Sequence, residues 1–150
     1  MHQHKPTGAA LAVDIATLLA AAILFAGIRT LFAACGPKED GSWMTCHHAQ
    51  SAVWAVACAI LVQALVKVFY RGRGMHGVKA GLSFAIAVQG AACALLPGTF
   101  IPLCMMQSMR CHTVMRPAVT VLCVLLVIAG VLGIVVHIRQ CGRHHEKTDG

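Results

Sequence analysis

The chain has 150 residues, 58% of them hydrophobic and 11% charged, with a mean hydropathy of +0.74 and a formal net charge of +7. A soluble domain carries about 25% charged residues, so this composition excludes an ordinary water-soluble fold. Nucleic acid is not needed to explain the basic charge, because multi-pass membrane proteins collect Lys and Arg on one face of the bilayer.

Apolar residues fall into four blocks, at about 11–34, 49–69, 78–103 and 117–138. Each is near the roughly 20 residues that cross a bilayer core. The first holds Asp14 and Arg29 near its ends, where long side chains can reach the interface. Asp14 is the only acidic residue inside a span, which makes it a functional candidate by default, with helix N-terminal capping as the plain alternative. The block ends in Leu31-Phe-Ala-Ala-Cys35, superficially a lipidation signal. Its length, the interrupting Arg29 and a second copy of the pattern at Cys104 argue for an uncleaved span. The third block contains Gln89 and Pro97 and suits a helix packed against others. The last is the cleanest, with Thr120 as its one polar side chain between Ala118 and Val136.

Four spans make an all-α membrane protein of one domain, 1–150, built from two tandem helical hairpins. The halves, about 9–70 and 78–139, would form a parallel internal repeat about an axis along the membrane normal. A short basic turn, Tyr70-Arg-Gly-Arg-Gly-Met-His-Gly77, joins them. Gly77 with Gly81, and Gly130 with Gly133, offer small-residue contacts between helices. Lys5, the middle connection with Lys67, Arg71, Arg73 and Lys79, and the tail with Arg139, Arg143 and Lys147 hold eight of the twelve Lys and Arg residues. The positive-inside rule then places both termini in the cytoplasm and loops 35–48 and 104–116 outside.

The two outer loops share a pattern. Thr30-Leu-Phe-Ala-Ala-Cys35 is followed by Met44-Thr-Cys46-His47, and Thr99-Phe-Ile-Pro-Leu-Cys104 by Met109-Arg-Cys111-His112. Cys35, Cys46, Cys104 and Cys111 are candidates for disulfides in an oxidising compartment, and four cysteines allow three connectivities. Met44, His47, His48, Met109 and His112, with the thiols, are alternatively candidate ligands for copper, iron or haem, since thioethers, thiolates and imidazoles select those groups. Cys58, Cys93 and Cys123 lie within spans and read as small apolar fillers. There is no HExxH, GxSxG, P-loop or paired carboxylate, so the sequence points away from an enzyme.

Around the two loops the chain resembles the DUF4418 family, bacterial proteins of unknown function. The residues concerned are Cys35-Gly-Pro, Asp40-Gly-Ser-Trp-Met44-Thr-Cys46-His47-His48-Ala-Gln50, and Cys104 with Met109-Arg-Cys111-His112 and Arg116-Pro117-Ala118. Thr113 stands where a second histidine would complete the symmetry. The resemblance implies a short four-helix protein of the bacterial inner (plasma) membrane. It further implies an accessory, non-enzymatic subunit beside a MacB-like ABC transporter permease, in metal or haem handling. The alternatives are a structural tetraspan protein with disulfide-crosslinked outer loops, or a stand-alone metal- or haem-binding redox protein.

Overall fold

A computed structural model describes residues 8–33, 41, 45–70, 76–101 and 110–146, with side chains described as far as 140. Four helices carry the fold: α1 (Gly8–Gly27), α2 (Thr45–Phe69), α3 (His76–Leu95) and α4 (Arg116–Glu146), the last preceded by one π-helical turn, Cys111–Met115. All four spans, Gly8–Gly27, Thr45–Phe69, His76–Leu95 and Cys111–Gln140, are long and apolar enough to cross a membrane. Helices are what such stretches must form in lipid, because each backbone N–H and C=O has to be satisfied within the segment.

The helices form a ring. α1 packs on α2 and α4, and α3 packs on α2 and, most extensively, on α4. Buried positions recur at steps of three and four. In α1 they are Ala10, Asp14, Thr17, Ala21 and Leu24; in α2, Cys46, Ala49, Val53, Ala57, Ile60, Ala64 and Lys67. That period, near 3.5 residues, is the seam of a left-handed bundle. Large apolar side chains such as Leu19, Val62, Phe84, Val121 and Ile138 face outward. Hydrophobicity therefore does not separate the two faces; the inner seam mixes Ala and Gly with Leu24, Ile60, Ile86 and Leu126.

Gly130 shows why small residues are needed there. A Cβ on it would stand 2.8 Å from the Ser83 carbonyl oxygen and 2.9 Å from Ala87 Cβ. α4 can lie against the backbone of α3 only because that Cβ is missing. Gly77 and Gly81 were expected to make a similar contact but do not: nothing lies within 4 Å of either virtual Cβ, and both residues are exposed on α3. Their spacing is right, but the face they share is turned away from the other three helices.

The helix borders differ from the apolar blocks. α2 begins at Thr45, so Cys46, His47 and His48 belong to its first turn rather than to a loop. Cys111 and His112 likewise sit in the π-turn that opens the last span. The π-turn has a local cause: Pro117 has no N–H to give and its ring would crowd the carbonyl four residues back. The wider turn lets the Arg116 N–H bond the Cys111 carbonyl instead. At the same end α1 closes at Gly27, where Phe32 N donates to the Gly27 carbonyl at 2.7 Å and the Phe32 ring folds over the missing side chain. Arg29 lies 4.6 Å above the Trp54 ring, which also stacks on Phe25 at 5.4 Å, and Gln50 Nε2 donates to the Ile28 carbonyl at 2.8 Å.

Gly130→Leu should destabilise the bundle by about 1–3 kcal/mol through overpacking, whereas Gly81→Leu should change stability by no more than about 0.5 kcal/mol. Thermal unfolding of both variants in the same detergent checks the contrast.

A buried charge centre as the candidate functional site

The inner seam is interrupted by charge at one end. Asp14 lies in the second turn of α1, Lys67 in the last turn of α2, Lys79 in the first turn of α3 and His137 in the later part of α4. Their side chains meet. Asp14 Oδ1 is 3.1 Å from Lys67 Nζ and 3.3 Å from His137 Nε2, and Oδ2 accepts a hydrogen bond from Lys79 Nζ at 3.1 Å. Lys67 is 0%, His137 1% and Asp14 2% exposed, so this centre is inside the bundle rather than at its surface. The meeting also fixes direction: starts of α1 and α3 lie with ends of α2 and α4, so neighbouring helices are antiparallel.

Each residue reached the centre for a local reason. Asp14 and Lys67 continue the three-four spacing of their own seams, so the helices aim them inward. Lys67 crosses from α2 toward α4, where Gly133 makes room for it: a Cβ there would stand 3.4 Å from Lys67 Nζ and 2.7 Å from Ser83 Oγ. Lys79 sits where the dipole of α3 opposes a cation, and the Asp14 carboxylate offsets that. Ser83, one turn on, donates its hydroxyl to the Lys79 carbonyl at 2.8 Å. The His137 ring is tilted against His76 with centroids 6.2 Å apart.

Two expectations change here. Asp14 is not a helix cap, since it lies inside α1 and spends both oxygens on other helices. Lys67 and Lys79 are not connection residues carrying topology alone; both are helical and ion-paired. The signal that could have found Lys67 is the spacing of Ala57, Ile60 and Ala64 extended one step.

The sulfur-rich end is opposite. Cys46 and Cys111 are wholly buried, His47 and His112 are half-buried, and His48 is exposed. The two cysteines open α2 and the last span, helices across the ring from each other. Cys35, Met44, Cys104 and Met109, which complete the sequence pattern, lie outside the described residues. Among the described residues no group of three or more His, Cys, Asp or Glu is placed to hold a metal ion. Nor, among the described residues, is there a disulfide. Deeper in the bundle the buried free thiols of Cys93 and Cys123 lie side by side between α3 and α4. The sequence reading of these two as fillers missed that pairing, which needs the α3–α4 register to be seen.

Removing one partner from a buried ion pair typically costs about 3–5 kcal/mol, because the other charge stays behind. Asp14→Asn should therefore lower stability by roughly that amount, and adding Lys67→Met to it should recover part of the loss. Unfolding of the single and double variants in detergent measures this. Burial further implies that a membrane-impermeant maleimide reacts with Cys46 and Cys111 only slowly until the protein is denatured, which time-resolved mass spectrometry would follow.

Neither the curated proteins nor the solved structures contain a match to the chain. A family model described as a domain of unknown function, DUF4418, matches residues 17–136. The matched stretch includes Lys67, Lys79 and Ser83 and ends just short of Asp14 and His137. With four fifths of its length matched, the chain belongs to the DUF4418 family.

Proposed function

We propose that this protein is a non-enzymatic subunit of the bacterial inner membrane that works by associating with another membrane protein. The observation that carries the reading is the charge centre. It joins all four helices around one carboxylate, and the surface outside it is large and apolar. Such a body is a rigid membrane-embedded unit with a broad face to offer. Four apolar helices are consistent with an integral membrane protein in a lipid bilayer.

The centre is a poor catalyst by its own geometry. A nucleophilic serine needs a base that can take its proton. The Ser83 hydroxyl is committed to a backbone carbonyl, and Lys67 is ion-paired with Asp14. The partner we propose is the one the family resemblance implies, a MacB-like ABC permease. The basic residues at the charge-centre end would face the cytoplasm, following the positive-inside rule.

A second reading, a metal- or haem-binding protein, draws on the opposite end. There Cys46 and Cys111 are buried with His47 and His112 next to them in the chain. Soft donors and imidazole would suit copper, iron or haem.

Crosslinking in native membranes followed by purification of the tagged full chain separates the two. A permease subunit recovered in fixed stoichiometry, with no bound metal and no Soret absorption, is the expected result. Copper, iron or haem bound to a chain that purifies without a permease would replace the first reading by the second.

A further inference from the structure

The charge centre is not neutral. Asp14 is the only acidic residue among those whose side chains are described, and it faces two lysines. One positive charge is therefore left over before His137 is considered. Burying an unbalanced charge is costly, so a compensating anion would stabilise this arrangement.

Lys67 sharpens the point. Its ammonium is fully buried, and Asp14 Oδ1 at 3.1 Å is its one ion-pair partner among the described residues. A single carboxylate oxygen, shared with His137, faces three N–H donors.

A cavity of about 340 Å³ opens beside them, lined by Val66, Lys67, Tyr70, Val78, Lys79 and Leu82. It lies between the last turns of α2 and the first turns of α3. Lys79, the partly exposed lysine of the centre, forms its polar wall; Lys67 lines it only with its buried stem, and Val66, Val78 and Leu82 form an apolar wall. Tyr70, at the end of α2, is more than half exposed, as an aromatic at a bilayer interface would be. A site of this size lies within the range for small ligands. Its depth fits too, since the helix ends mark the level where headgroups meet the hydrocarbon core.

We propose that this cleft binds the phosphodiester headgroup of an anionic phospholipid. The phosphate takes the donors of Lys79 that Asp14 leaves open and balances the excess charge of the centre behind it. The glycerol and upper acyl carbons lie along Val66, Val78 and Leu82. A free phosphate would satisfy Lys79 but leave the apolar wall uncovered, so the amphipathic lining selects lipid. The two helices continue outward from the cleft as apolar surface, with Val62 and Phe84 exposed, which suits the acyl chains. The bound lipid would complete the contact between α2 and α3, the thinnest of the four around the ring. This assignment holds whether or not the protein has a permease partner.

The test uses the full chain in nanodiscs of phosphatidylcholine doped with phosphatidylglycerol, released into native mass spectrometry so that retained lipid is counted. Two variants act by different chemistry: Lys79→Gln removes one cation, and Val78→Trp fills the cavity without touching a charge. The wild-type chain is expected to retain one phosphatidylglycerol in preference to phosphatidylcholine. Each variant should weaken that retention by at least about tenfold, the size of one lost charge-assisted hydrogen bond, while its helical circular dichroism stays as in the wild type. Equal retention of both lipids, or retention unchanged in both variants, overturns the proposal. So does displacement of the phosphatidylglycerol by millimolar inorganic phosphate, which would mark a site for free anions.

Discussion

One carboxylate, Asp14, holds nitrogen groups from three other helices within 3.3 Å. In the interior of a membrane protein this contact decides more than any apolar one. Apolar side chains lose little by turning toward lipid, which is as apolar as they are, so helix association there depends on close packing and on polar groups that lipid cannot satisfy. Lys67, Lys79 and His137 have that requirement, and Asp14 answers all three. Their positions along the chain then force the antiparallel order of the helices.

Close packing supplies the rest. The missing side chains of Gly130 and Gly133 bring α4 onto α3 and leave room for Lys67 to cross the bundle. The small seam and the charge centre are therefore one device: without the small residues the ammonium could not reach, and without the carboxylate it would have no reason to be inside. The centre also carries a surplus of positive charge, and the cleft between α2 and α3 is where that surplus faces outward.

The two ends of the bundle have different chemistry. One gathers a carboxylate, two lysines and histidines; the other gathers buried thiols, half-buried histidines and the Trp54 stack. A sequence scan is drawn to the second end because its pattern repeats. The first end has no motif: Asp14, Lys67, Lys79 and His137 are scattered over more than a hundred residues, with separations of 65 and 123 between the bonded pairs.

The four spans and their membrane character were legible from the amino-acid sequence, because runs of apolar residues near bilayer length leave a helix as the only satisfied structure. The small-residue contact at Gly130 and Gly133 was legible for the same reason, though the spacing at Gly77 and Gly81 looked equally good. Borders were less so: Thr45 and Cys111 open helices that hydropathy places several residues later, since polar residues in a first turn look like loop. By itself the sequence determined the number of helices, their class and the family. Only the tertiary structure decided which face of each helix turns inward and which charges meet. Both faces are apolar, so the inward direction is set by close packing and by pairing with partners on other helices, and neither can be read along a single one.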